Sequence, residues 1–198
     1  LRLSYEDGYF DDKYQVVPKR SYEDFFKNIL CHVNIKVQLG IEALKHFVID
    51  EQKNRILVDG NDNITVIYTG AIDELFDCRY GKLPYRSLKF EWKYEDKDSF
   101  QSAPLVAYPQ ADGYTRIVEY KKLPLQDVCG TSYAVEYPLQ YSNEAEIEPY
   151  YPLLTDDSQQ LYQKYNQLAS YYTNLIHCGR LADFKYYNMN QCLERALN

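Results

Sequence analysis

Three short strings in this sequence combine residue types that could hold an anion: Gly113-Tyr114-Thr115-Arg116, Pro149-Tyr150-Tyr151-Pro152, and Gly179-Arg180 followed by Tyr186-Tyr187. An arginine offers aligned N–H donors that match two phosphate oxygens, and a glycine beside it lets backbone amides approach the same anion. Phenol hydroxyls can serve the remaining oxygens. The strings equally fit plain turns with a surface arginine, and taken alone they leave both readings open. Other chemistry is not legible. Gly60 and Gly70 are the two nearest glycines in the chain, so there is neither a GxGxxG nor a Walker loop, and GxSxG and HExxH are missing too. His32, His46 and His177 have no cysteine at a recognisable spacing and read as structural. The five cysteines (Cys31, Cys78, Cys129, Cys178, Cys192) are scattered without CxxC or zinc-like spacing, which predicts reduced thiols and no metal site.

The elements that must position these strings are drawn from 198 residues, 45% of them apolar, enough to fill a core. A net charge of −7 and a pI near 5.0 argue against nucleic acid or an anionic membrane as the partner. No apolar run is long enough to span a bilayer and no signal peptide is visible, so a soluble protein is expected. Tyrosine, at 22 residues, is far in excess. It suits either a wet cleft lined by phenols or a tyrosine-rich sheet surface. The chain opens at Leu1 and has one methionine, Met189, which predicts that it is part of a longer polypeptide.

Residues 1–20 read as an irregular aromatic segment. Ser21 caps a helix over about 22–31 whose Tyr22, Phe25, Phe26, Ile29 and Leu30 form one face. Ile35, Val37 and Leu39 alternate as a half-buried strand; 47–49 and 56–58 form a hairpin; Ile64 to Tyr68 reads as a buried strand ending at Thr69-Gly70. From about 78 to 151, strands around Leu88-Trp92, Leu105-Tyr108, Arg116-Tyr120 and Ser132-Glu136 follow one another without helical periodicity, which predicts an antiparallel sheet. Glu144, Glu146 and Glu148 read as a solvated loop. Thr155 caps a helix reaching about Ser170, Leu175-Ile176 is a short buried strand, and a last helix over 189–197 carries Leu193 and Leu197 for packing.

Six strings resemble, in order, those of bacterial UDP-galactopyranose mutases: Tyr68-Thr69-Gly70-Ala71-Ile72-Asp73, Pro84-Tyr85-Arg86-Ser87-Leu88, Tyr114-Thr115-Arg116-Ile117, Glu136-Tyr137-Pro138, Glu148-Pro149-Tyr150-Tyr151-Pro152, and Gly179-Arg180-Leu181 with Lys185-Tyr186-Tyr187. The resemblance covers essentially the whole chain. It implies a flavoenzyme interconverting UDP-galactopyranose and UDP-galactofuranose for cell-surface polysaccharide, in the cytoplasm. It implies an α+β fold: a twisted, mainly antiparallel substrate domain over 78–151, plus the second part of an FAD-binding α/β domain over 21–77 and 152–198. Residues 1–20 become a mobile substrate-loop segment, and the first βαβ unit is expected upstream of Leu1.

By the same resemblance, Arg2, Tyr14, Arg116, Glu136, Tyr151 and Tyr186 bind substrate, with Arg2 and Arg116 as diphosphate clamps. Thr69, Gly70, Gly179, Arg180, Tyr187, Asn188 and Met189 bind FAD, which acts in its reduced form. Catalysis falls to flavin N5, with no catalytic side chain in this chain. UDP-galactose is the implied partner, with neither nucleic acid nor membrane, and a homodimer is left open. These 198 residues alone are expected to be inactive and not to bind FAD tightly, lacking a glycine-rich phosphate turn. The chain departs from the family at Val16 (glycine), Ala71 (proline), Ala107 (an asparagine near the sugar), Cys178 (glycine) and Asn188 (aspartate). A non-catalytic nucleotide-sugar-binding relative without flavin is the alternative.

Overall fold

The computed structural model describes residues 12–141 and 147–198. Arg2, Glu144 and Glu146 therefore lie outside the described residues. In chain order the elements are α1 (Tyr22–Leu30), a 3-10 turn (Ala43–His46), β1 (Phe47–Asp50), β2 (Arg55–Val58), β3 (Val66–Tyr68), α2 (Ile72–Leu75), β4 (Tyr85–Glu95), β5 (Leu105–Ala107), β6 (Arg116–Glu119), β7 (Thr131–Gln140), β8 (Tyr151–Pro152), α3 (Asp156–Ala169), β9 (Leu175–His177) and α4 (Met189–Leu197). The class is α+β. The described residues divide into two compact units, one of 12–38, 92–108 and 116–135, the other of 39–91, 109–115, 136–141 and 147–198.

In the first unit, Ser21 accepts the Asp24 amide at 3.0 Å, satisfying a donor that α1 would otherwise leave orphaned. No residue of α1 is buried, and Phe25, Phe26 and Ile29 stay exposed. The expected strand at Ile35, Val37 and Leu39 does not form: these side chains are 43%, 51% and 87% exposed, and the segment is ladder-free. Alternation alone makes no strand when no neighbouring strand accepts its amides. The unit's order is built around β5 and β6, antiparallel with Val106 opposite Ile117 and Ala107 opposite Arg116. Glu119, at the end of β6, is fully buried. Its carboxylate accepts the Phe100 and Gln101 amides at 2.9 and 3.0 Å and the Thr131 hydroxyl at 2.8 Å, with Lys122 Nζ at 3.3 Å. The 99–104 loop thereby closes over the strands, with Phe100 stacked on Tyr133.

In the second unit, β1 and β2 form the expected hairpin, Phe47 opposite Val58 and Asp50 opposite Arg55. Strands β3 and β9, far apart in sequence, pair in parallel with Tyr68 opposite His177. Neither is buried on both faces as expected: Val66 and Tyr68 are in the core, whereas Ile67 and Ile176 are 64% and 50% exposed. Among the described residues this pair has the core on one face only, so alternate side chains point out. Asn174 ties the hairpin to β3. Its amide accepts from Ile56 N at 2.9 Å and donates to Ile56 O and Ile64 O at 2.8 and 2.9 Å. Helix α3 is capped by Thr155, which accepts from Ser158 N, and it buries Tyr162, Tyr165 and Leu168. The tyrosine excess has a third use besides cleft and sheet surface, for Tyr68, Tyr85, Tyr162, Tyr165 and Tyr172 all lie in the core. Two of their hydroxyls donate to backbone oxygens, Tyr68 to Ala71 at 3.1 Å and Tyr165 to Gly81 at 2.7 Å, which makes their burial affordable.

Candidate functional site

In the second unit, the parallel pairing of β3 and β9 carries both strands to a shared carboxyl end. Tyr68 O accepts the Cys178 amide at 3.1 Å, so Thr69-Gly70 and Gly179-Arg180 leave the pair side by side. The carboxyl ends of parallel strands are where α/β units take their ligands, because side chains and turns there converge without a covering helix. Both turns are held to glycine. Gly179 has φ +105, and a Cβ on it would stand 3.9 Å from Thr69, so the cost of a side chain is backbone strain rather than a clash. At Gly70 a Cβ would meet the Tyr68 hydroxyl at 2.5 Å, and that ring is buried and hydrogen-bonded.

Arg180 brings a cation to this end. Its guanidinium lies 4.6 Å from the Tyr186 ring centre and 5.3 Å from that of Tyr151, and those two rings stack at 5.5 Å with 14° between planes. Nη1 donates to Tyr150 O at 3.4 Å. A guanidinium held beside aromatic rings keeps its N–H donors for oxygens, which suits a phosphate. Tyr151 reaches this place as the first residue of β8, where Arg86 is its partner in β4. The next tyrosine along, Tyr150, has its phenol pushed up by burial and then by the Glu148 and Glu136 carboxylates. Glu136, on β7, is buried, and its backbone oxygen accepts the Thr115 amide at 2.9 Å.

The expected site residues thus fall as follows. Thr69, Gly70, Gly179, Arg180, Tyr151 and Tyr186 come together in the second unit, which also holds Glu136. Tyr187 is half-buried, and burial and then the Asp183 carboxylate push its phenol up. Asn188 is the N-cap of α4, its amide donating to Gln191 Oε1 at 2.8 Å, and Met189 opens the helix, 58% exposed. In the first unit, Arg116 begins β6, half-buried and opposite Ala107, while Tyr14 is 77% exposed beneath the Lys13 ammonium. One expectation is corrected: the Gly179 amide is not presented to an anion but donates inward to Asp183 Oδ2 at 3.2 Å, because the chain folds back at once to close a turn.

Two residues at this end escape sequence reading. Asp183 is 5% exposed. Arg195 Nε donates to its Oδ2 at 3.0 Å, and Arg195 Nη2 donates to His177 O at 3.1 Å. The last helix is therefore not held by Leu193 and Leu197, which are 62% and 79% exposed, but by an arginine on its other side. No spacing signal marks a pair twelve residues apart across a loop. His177 is pushed down by burial, offset in part by Asp183. Among the described residues no cluster of His, Cys, Asp and Glu could hold a metal ion, and no helix is long and apolar enough to cross a membrane.

Comparison with known proteins gives a consistent picture. A family model described as UDP-galactopyranose mutase matches residues 1–186. The chain is 33% identical over 199 residues to a dTDP-fucopyranose mutase of Escherichia coli, covering 100% of this chain and 51% of that protein. It is 36% identical over 197 residues to a UDP-galactopyranose mutase of Mycoplasma genitalium, covering 96% of this chain and 48% of the relative. A UDP-galactopyranose mutase of Mycoplasma pneumoniae is 33% identical over 204 residues, covering 100% and 50%. The chain spans about half the length of the curated relatives it matches.

Proposed function

The chain belongs to the UDP-galactopyranose mutase family, and from that premise we propose that it supplies the diphosphate- and sugar-contacting side chains, and part of the FAD site, of an enzyme interconverting UDP-galactopyranose and UDP-galactofuranose. The observation that carries this reading is the stacked Arg180–Tyr186–Tyr151 cluster beside Thr69-Gly70 at the carboxyl ends of two parallel strands. A planar cation on aromatic faces, next to a turn without a Cβ, fits a pyrophosphate. In this reading Arg180, Thr69 and Gly70 hold the cofactor, helped by Tyr187, Asn188 and Met189, while Gly179 shapes the turn from which Arg180 projects. Reduced FAD, when bound, supplies the nucleophile for displacement at the anomeric carbon. The chain's own residues would bind and orient: by the family resemblance Arg116 and Arg2 are assigned to the substrate diphosphate, Tyr14, Tyr151 and Tyr186 to its oxygens, and Glu136 to the sugar. Such positioning and charge stabilisation are what the reaction asks of side chains, more than proton transfer. Residues 78–151 would form the substrate domain, with 21–77 and 152–198 on the cofactor side and 1–20 as a substrate segment.

A second substrate reading has its own observation. Ala107 pairs with Arg116 across β5–β6; where the family resemblance implies an asparagine near the sugar, this chain has a methyl group and so one polar contact fewer to offer. A 6-deoxy sugar has one hydroxyl fewer, and the chain's match to half of a dTDP-fucopyranose mutase points the same way. The test is to express the complete polypeptide, reduce it, and present UDP-galactopyranose and dTDP-fucopyranose separately, reading furanose formation by chromatography. Conversion of the first supports the primary reading, and conversion of the second alone moves the substrate to the deoxy sugar. No conversion of either, with Arg180→Ala binding FAD and nucleotide sugar as well as wild type, would end both.

A further inference from the structure

We infer that Arg195, acting through Asp183, is a positioning residue that holds the Gly179-Arg180 turn in its ligand-binding form; the inference rests on the reading of that turn as part of a cofactor site. Arg195 lies on α4, beyond the residues that the family model matches. Its guanidinium spans the turn. One arm donates to His177 O, the last residue of β9, and the other to the carboxylate of Asp183, where the turn closes. Asp183 in turn takes the Gly179 amide through Oδ2 while its own amide donates to Gly179 O at 2.8 Å. Both ends of a five-residue loop, Cys178 to Ala182, are therefore fastened to one side chain, and Arg180 projects from that loop onto Tyr186 and Tyr151.

The chemistry requires an arginine. Burying a carboxylate is costly unless it is paired and hydrogen-bonded. A lysine ammonium could neutralise it, but a single nitrogen cannot donate in two directions set by the strand end and the loop end as the planar fork does. Without Arg195, Asp183 is left with neutral donors only, and the loop can open at Gly179, whose positive φ makes it the natural hinge.

Two measurements on the complete polypeptide test this. First, the apoprotein is titrated with FAD in wild type, Arg195→Ala, Arg180→Ala and the double variant. The clasp predicts a loss of about tenfold in affinity for Arg195→Ala, partial rescue to within about threefold by Arg195→Lys, and a double variant no weaker than Arg180→Ala. Equal affinity of Arg195→Ala and wild type, or losses that multiply in the double variant, would overturn it. Second, amide exchange at Gly179 and Asp183 should speed up more than tenfold in Arg195→Ala, with α3 unchanged; unchanged exchange at those two amides overturns the inference whatever FAD does. If Arg195→Ala does not fold, Arg195→Gln and Asp183→Asn carry both measurements, with the same direction of change expected in each. A wild type that takes no FAD removes the cofactor reading, while the exchange result still decides whether the clasp exists.

Discussion

Glu119→Gln is the substitution whose cost the structure defines most closely. The carboxylate is fully buried in the first unit and accepts from two backbone amides, a threonine hydroxyl and a lysine. Burial alone would raise its pKa from the ordinary 4.5, but these four donors outweigh it and pull it down to about 2. At about 1.4 kcal/mol for each tenfold in proton affinity, the ionised form is favoured on folding by about 3 kcal/mol. Glutamine keeps the shape and one acceptor oxygen, yet turns an NH2 toward donors, so we expect a loss of about 2–3 kcal/mol at pH 7. Because the folded pKa lies below the unfolded one, this stability is complete above about pH 4.5 and disappears as the pH falls toward 2. Trp92, the only tryptophan, stacks on Tyr120 at 5.3 Å in the same unit and reports its unfolding. Urea unfolding followed by Trp92 emission should give wild type and variant curves that differ at pH 7 and converge between pH 4.5 and 2. Equal stabilities at pH 7, or a gap that stays constant down that range, would refute the account of Glu119 as an ionised clamp.

Asn174→Ala removes three hydrogen bonds, two of them buried, and leaves Ile56 N, Ile56 O and Ile64 O without that partner, so a loss of about 3 kcal/mol is expected in denaturant unfolding followed by far-UV circular dichroism. Gly179→Ala forces a side chain onto a φ of +105, and should cost about 1–3 kcal/mol in thermal unfolding while also lowering FAD affinity of the complete polypeptide. Arg116→Ala, in the complete polypeptide, should weaken UDP binding by roughly ten- to a hundredfold with FAD content unchanged, as expected for loss of a bidentate, charge-assisted contact; calorimetric titration showing equal affinities would remove Arg116 from the site.

How much of this was readable in advance follows from the range of the interactions involved. The caps at Ser21 and Thr155, the hairpin at 47–58 and the bounds of the last helix depend on contacts a few residues apart, and local pattern determined them. The family, too, was legible, because six short strings in order are a property of the chain and need no coordinates. Local alternation at Ile35, Val37 and Leu39 misled, since a ladder needs a second strand that periodicity cannot supply. The parallel pairing of residues 66–68 with 175–177, which sets Thr69-Gly70 beside Gly179-Arg180, joins segments more than a hundred residues apart, and only the tertiary structure decided it. The same holds for Arg180 stacking on Tyr151 as well as on nearby Tyr186, and for the Arg195–Asp183 clasp. Stacking and buried ion pairing depend on burial and direction, which a sequence does not carry; it determined which donors and rings exist, and folding decided which of them meet.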